Sequence, residues 1–437
     1  MNNVLESTGQ PRVATKKLAQ ISFAGAFGTL LEYYDFFLVT FAATLVWPTV
    51  FFRGMSPALA TALGLLTLGI FYVSRPIGAF VFGHYGDRLG RKSILVWTLI
   101  IMGTGSLAIA ALPPYAAIGI WAAIILLVVR VVQGIGFGGE FGGASTWVSE
   151  SADTRKRGFW TVWQQMAGPA GSFLASTSFS LVILLSNEAY LIAWGWRILF
   201  VIGAVVAAMG VILRYKLSDS LLFEDLKKQN KTERVPSLRV LKEQRLKILF
   251  LALIMVSTIY GTTLQPFVVT FLKAEKTPFL LITTISAYSS GVAILGDFIG
   301  GLMGDIVRRK WIVAISTMLG AVGIYPFFLA LKSLNPTLIV LGPILMFVFA
   351  GIGYGNLAAL FPEQFSIKYR YSGSGISFGF GALIAGIIVS AIYPILIAAS
   401  HGVSNAWPYV AAVYLIISVG GFLSAIFLKE KKITLAQ

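Results

Sequence analysis

The chain has 437 residues, of which 57% are hydrophobic and only 12% charged, with a net charge of +16. Soluble domains carry about a quarter charged residues, so this composition excludes an ordinary soluble protein and favours a membrane protein. With no cysteine, disulfides and thiolate metal sites are excluded, and two distant histidines, His84 and His401, suggest no metal centre.

Arg12, Lys16 and Lys17 precede the first apolar run, which continues well beyond the roughly 7–15 residues of a signal-peptide core and predicts a retained span. Apolar runs of membrane-crossing length predict twelve helices. Six lie at 19–50, 58–85, 92–112, 117–148, 158–186 and 192–214. Six more lie at 246–272, 279–304, 310–332, 337–361, 372–399 and 406–428. The expected organisation is an N-terminal segment 1–18, a six-helix bundle 19–214, a linker 215–245, a second bundle 246–428 and a tail 429–437. The linker ends in LRVLKEQRLKIL, which predicts a short helix on the membrane surface.

Basic residues orient these spans. Of the 34 Lys and Arg, 27 fall on the side that holds both termini and five on the other, with Arg75 and Arg130 inside spans. Lys and Arg accumulate on the cytoplasmic side, so both termini are expected to be cytoplasmic. Dispersed over loops, these charges suit orientation and anionic headgroups rather than nucleic acid.

GHYGDRLGRK at 83–92 returns as GLMGDIVRRK at 301–310, and GIGFG at 134–138 as GIGYG at 351–355. The offsets are 218 and 217, half the chain, and indicate a duplicated six-helix unit around a central cavity. The expected fold is therefore an all-α membrane protein of twelve transmembrane helices in two pseudo-repeats. GIGFGG also fits the dinucleotide fingerprint G-x-G-x-x-G, but it lies inside a span, without the strand that fingerprint needs.

GHYGDRLGRK resembles the loop signature of the major facilitator superfamily. RPIGAFVFGHYGDRLGRK at 75–92, LEYYDFF in the first span and RVVQGIGFGGEFGGAS at 130–145 resemble its metabolite:proton symporter branch. The resemblance implies proton-coupled symport of a small carboxylate or a zwitterion by alternating access. The proton gradient would be the energy source, with no cofactor, and the protein a monomer in the plasma membrane. SESADTRKRG at 149–158 lacks the prolines of the sugar-porter signature, which demotes sugar. A sugar or drug transporter of the same superfamily, or a non-transporting sensor with this fold, is the alternative. No nucleophile–base constellation points to an enzyme.

By the same resemblance, Gly83, Gly86, Asp87, Arg88 and Arg91 form a latch between the halves on the cytoplasmic side. Glu150, Arg155 and Arg157 form a second cluster, and Asp305, Arg309 and Lys310 its counterpart in the second half. Inside spans stand Glu32, Asp35, Arg75, Arg130, Glu140 and Asp297, where an ionised group is costly without a partner or a purpose. At about 1.5 Å per residue, Asp35 and Arg130 both come near the middle of the membrane. The family's neighbouring first and fourth helices make them a candidate pair. Arginine stays protonated, so Asp35, with Glu32 as its rival, is the expected proton carrier. An inert ion pair is the plainer reading of the same residues. Arg75 is a candidate carboxylate clamp. Arg130, Gln133, Glu140, Gln164, Gln265, Tyr34, Tyr354 and Asn356 complete the expected substrate site, for an anionic or zwitterionic small molecule.

Overall fold

The computed structural model describes residues 14–215, 235–333 and 335–429. The remaining residues hold most of the expected N-terminal segment, linker and tail, which therefore lie outside the described part. Twelve helices are long and apolar enough to cross a membrane, and no strand occurs among the described residues. In chain order they are α1 Thr15–Val50, α2 Leu59–Leu89, α3 Arg91–Ala111, α4 Trp121–Ser151, α5 Thr154–Leu185 and α6 Glu188–Tyr215. The second half contains α7 Arg245–Ala274, α8 Phe279–Met303, α9 Arg309–Ser333, α10 Thr337–Glu363, α11 Ile367–Ala399 and α12 Val403–Phe427. Every predicted run corresponds to one of these. Lipid offers no hydrogen bonds to an open backbone, so continuous helices are the solution such apolar runs require.

The halves pack alike. In the first, α1 lies on α5, α2 on α4 and α3 on α6; in the second, α7 lies on α11, α8 on α10 and α9 on α12. The halves meet along α2 with α11 and along α5 with α8, pairs that the internal duplication interchanges. The linker ends in a short helix, Pro236–Glu243, that packs on α2 and α11. It is separated from α7 at Gln244, so the single surface helix expected over 238–249 is divided between two elements.

Prolines shape the interior. Pro266 has no N–H to give the carbonyl of Thr262, one turn back, and that carbonyl instead accepts from the Tyr72 hydroxyl at 3.0 Å. Just before it, α7 breaks at Ile259 into Arg245–Thr258 and Tyr260–Ala274. Pro48 likewise leaves the carbonyl of Thr44 without its α-helical donor, and Lys273 Nζ takes it at 2.7 Å. Both contacts join the first half to the second, so each helix irregularity supplies a tie between bundles.

Candidate functional site

One face of the bundle carries Arg88, Arg155 and Arg308 and both ends of the linker; it is called the basic face. The last turn of α2 brings Asp87 to the start of α11, where its carboxylate accepts from the N–H of Tyr371 (3.2 Å), the N–H of Ser372 (2.9 Å) and the Ser372 hydroxyl (2.7 Å). Free N–H groups at a helix start favour a carboxylate there. Arg91 lies 3.3 Å from Asp87 and donates to Glu150 at 3.3 Å, and Arg370 lies 3.5 Å from Glu150. Gly86 makes this approach possible, since a Cβ there would stand 2.3 Å from the Tyr371 ring.

The duplication repeats the arrangement. Asp305, after α8, accepts from the N–H of Gly158 (2.6 Å) and of Phe159 (2.9 Å), where α5 begins its regular helix. Burial pushes the Asp305 carboxyl above its ordinary value, against the opposing pull of those N–H groups and of Arg309. Arg309 donates to Asp305 at 3.3 Å and to Glu363 at 3.2 Å, and Arg157 donates to Glu363 at 3.0 Å. Each half thus sends an aspartate to cap the other half's helix, backed by an arginine–glutamate–arginine chain. Glu363 and Arg370 were not among the expected residues. Arg88, which was, stands exposed beside His84 at 3.4 Å and takes no part. Arg155 is exposed, and Lys310 donates to carbonyls of Ile426 and Leu428 at the end of α12.

Deeper in the first half, α1, α3 and α4 bring together Asp35, Ser106, Arg130 and Gln133. Arg130 Nη1 is 3.9 Å from Asp35 and donates to Gln133 Oε1 at 2.8 Å, while Gln133 Nε2 donates to Asp35 at 3.0 Å. The Ser106 hydroxyl completes the shell of Asp35. Gln133 is therefore a relay between acid and base. Nearer the basic face, Glu140 pairs with Arg214 and accepts from Thr29 (3.3 Å) and Thr98 (3.0 Å). Arg214 also donates to the carbonyl of Leu95 at 2.6 Å, so this cluster ties α1, α3, α4 and α6. Both oxygens of the fully buried Glu32 have no donor among the described residues. Arg75, buried between the halves, has Nε and Nη2 without a partner among the described residues and lies 4.0 Å over the Phe137 ring and 5.3 Å from that of Phe378.

Between the halves lies a cavity lined by residues of both. Tyr33 and Phe37 of α1 and Ser172 of α5 form one wall. The broken stretch of α7 contributes Thr258, Thr262 and Gln265, and α8 contributes Ser286, Ser289, Ser290 and Asp297. Phe327, Phe347 and Tyr354 close the far wall. Hydrogen bonds cross it: Tyr33 to Tyr354 at 2.9 Å, Ser172 to Gln265 at 3.0 Å and Ser290 to Ser172 at 2.8 Å. Of the expected substrate residues, Gln265 and Tyr354 line this cavity. Arg75, Arg130, Gln133, Glu140, Gln164, Tyr34 and Asn356 do not.

The reasons differ. Tyr34 turns to Ser178 of α5 at 3.3 Å, and Asn356 spans from α10 to the Gly300 carbonyl of α8 at 2.9 Å. Glu140 is consumed by Arg214, and Arg130 and Gln133 by Asp35. Gln164 is buried with neither amide atom bonded among the described residues. A run of lining hydroxyls, Ser286, Ser289 and Ser290 at helical spacing in α8, went unread because serine in an apolar span also serves plain packing.

The family described as "Sugar (and other) transporter" matches residues 21–265. The inner membrane metabolite transport protein YhjE of Escherichia coli is 34% identical over 90% of this chain and 91% of its own. The shikimate transporter of Escherichia coli is 31% identical, covering 85% of each chain. The glycine betaine/proline/ectoine/pipecolic acid transporter OusA of Dickeya dadantii is 30% identical over 95% of this chain and 84% of its own. Among solved structures, the proton:xylose symporter XylE superposes with a TM-score of 0.73 at 18% identity, over 95% of this chain and 96% of that one. Length, twelve-helix fold, duplicated charge cluster and whole-length similarity agree: the chain is a multi-pass membrane transporter belonging to the major facilitator superfamily, with the metabolite transporters as its relatives.

Proposed function

We propose that the protein is a proton-coupled symporter of a small carboxylate or zwitterion, working as a monomer in the plasma membrane by alternating access. The basic face is cytoplasmic, in keeping with the placement of Lys and Arg. Substrate sits in the central cavity, which the two halves enclose.

The observation that carries this reading is the Asp35–Gln133–Arg130 relay. Arginine does not titrate at working pH, so a proton entering this network goes to Asp35. Neutralising Asp35 removes its attraction for Arg130 and gives Gln133 a weaker acceptor, loosening α1 from α4. Tyr33, two residues before Asp35 on α1, lines the cavity and bonds Tyr354 of the other half. A change in α1 therefore reaches the substrate and the interface between halves together. The duplicated latch is the element that opens when the cavity turns to the cytoplasm, and its intact hydrogen bonds fit a state closed on that side.

The names of the relatives supply the probes: shikimate for carboxylates, proline and glycine betaine for zwitterions. In liposomes holding the purified protein, an inward pH gradient is expected to drive accumulation of at least one of these above equilibrium. Failure of all three to accumulate, with protein shown to be folded, would remove the reading. Xylose belongs in the same panel, because the cavity hydroxyls also suit a neutral polyol.

A further inference from the structure

The charges inside the spans do not balance. Apart from the latch, the buried charged side chains are the carboxylates Glu32, Asp35, Glu140 and Asp297 and the guanidiniums Arg75, Arg130 and Arg214. Asp35 has Arg130, and Glu140 has Arg214. Glu32 forms no ion pair among the described residues, but the charges of Glu140, Arg214 and Arg75 all act on it within the first bundle. Asp297 is left. It is 1% exposed, and among the described residues its Oδ2 has no hydrogen-bond donor and it forms no ion pair. It lines the cavity, in a half of the molecule whose other lining polar groups are hydroxyls and the Gln265 amide.

A carboxylate that is ionised in such a place needs a positive charge to accompany it, and without one it takes up a proton. The described cavity wall contains no Lys, Arg or His, so the chain does not bring one. It does bring aromatic rings: Tyr33, Phe37, Phe327, Phe347 and Tyr354 line the same space, and a ring's face attracts cations, quaternary ammonium groups above all. An anionic group, by contrast, would meet Asp297 and find no cation in the lining.

We propose that Asp297 is the counter-ion for a cationic nitrogen of the substrate, so that the cavity selects amino- or ammonium-bearing solutes, chiefly zwitterions, over plain organic anions. This rests on the cavity being the substrate site of the transporter read above. A zwitterion's carboxylate has a candidate partner beyond the tyrosine pair. Tyr33 packs edge-on at 5.2 Å against Phe137, and Arg75 lies on the Phe137 ring with two of its nitrogens lacking a partner among the described residues. Opening the Tyr33–Tyr354 hydrogen bond would let a carboxylate approach that guanidinium while the nitrogen stays at Asp297.

The test compares wild type, Asp297→Asn and Asp297→Glu in liposomes, with glycine betaine, proline, choline, shikimate, 2-oxoglutarate and xylose as solutes. Equilibrium exchange at equal pH on both sides measures recognition without coupling. The expected result is exchange of glycine betaine or proline, competition by choline, and no competition by shikimate, 2-oxoglutarate or xylose. Asp297→Asn is expected to raise KM for the zwitterion about tenfold to a hundredfold, the range for losing a charged partner. Asp297→Glu, which keeps the charge and controls for folding, should recover part of the loss. Exchange of shikimate or 2-oxoglutarate with KM unchanged in Asp297→Asn would overturn the assignment. So would a variant with unchanged zwitterion KM that has lost only its response to a pH gradient, since Asp297 would then carry the proton. Neither result touches the symport reading, which fails separately if exchange proceeds but no pH gradient drives accumulation.

Discussion

The two halves of the chain agree at the basic face and differ inside. At the face, Asp87, Arg91, Glu150 and Arg370 are mirrored by Asp305, Arg309, Glu363 and Arg157, each aspartate capping a helix of the opposite half. Inside, among the described residues, the first half buries six charged side chains, four of them in the Asp35–Arg130 and Glu140–Arg214 networks, and the second buries Asp297 alone. In the proposed mechanism a duplicated latch lets the two halves rock against each other. In the same proposed mechanism an unduplicated interior lets the halves take different tasks, with the proton handled at Asp35 beside α4 and the substrate nitrogen at Asp297 in α8. Sequence repeats thus mark shared mechanics, and departures from the repeat mark where the chemistry was divided.

The comparison can be broken most severely at Asp35. Asp35→Asn is expected to abolish accumulation driven by a pH gradient while leaving exchange at equal pH in place, measured with labelled proline or glycine betaine. Next in size is the structural cluster. Arg214→Met leaves Glu140 buried without its partner and is expected to cost about 3–5 kcal/mol, seen as a lower thermal unfolding midpoint in detergent. Replacing both, as Glu140→Leu with Arg214→Met, should recover most of that loss, since a neutral pair of similar volume removes the uncompensated charge.

The latch offers a smaller and sharper contrast. Asp87 accepts three hydrogen bonds from the other half and Asp305 two. Asp87→Ala is therefore expected to shift the balance towards the state open at the basic face by about 2–3 kcal/mol, and Asp305→Ala by somewhat less. The absence of cysteine in the chain makes this measurable. Spin labels at Lys156→Cys and Lys368→Cys, exposed positions on opposite halves, would report the separation. Equal and negligible shifts would show that the duplicated geometry has no role in closing this face. Arg88→Ala, at an exposed residue outside the latch, should change neither distance nor transport appreciably, with an effect within about 0.5 kcal/mol.

Much of the fold was legible because each span writes its own signal: a run of apolar residues long enough to cross a bilayer. The repeat was legible for the same reason, from two short stretches that kept their residues. Asp87, Arg91, Asp305 and Arg309 could be picked out because they sit in the repeated stretches, and Glu150 and Arg157 because SESADTRKRG at 149–158 resembles a family signature. Glu363 and Arg370 could not, because the register slips. The GIGYG stretch lies 217 residues after GIGFG, yet Glu363 and Arg370 lie 213 residues after Glu150 and Arg157. The helix itself explains the slip: α4 runs unbroken from Trp121 to Ser151, while α10 is interrupted after Tyr354. Arg214 was missed because it ends an apolar run and reads as part of the basic linker. In the structure it turns inward and is consumed by Glu140. Depth along a helix was enough to suggest Asp35 with Arg130, but not Gln133 between them, because rotation about the helix axis decides which polar side chain faces which. The cavity was the least legible part. Its lining depends on where α7 breaks and on how two bundles meet, neither of which a single span encodes.

Proton movement accompanying substrate is the most direct measurement of the central claim. Vesicles containing wild type or Asp35→Asn, lightly buffered and at equal pH on both sides, would receive glycine betaine, proline or shikimate outside while a pH-sensitive dye follows the external medium. The account predicts external alkalinisation with wild type for the solute that is transported. It predicts none with Asp35→Asn, even though that variant still exchanges the labelled solute. An Asp35→Asn protein that continues to move protons together with solute would contradict it.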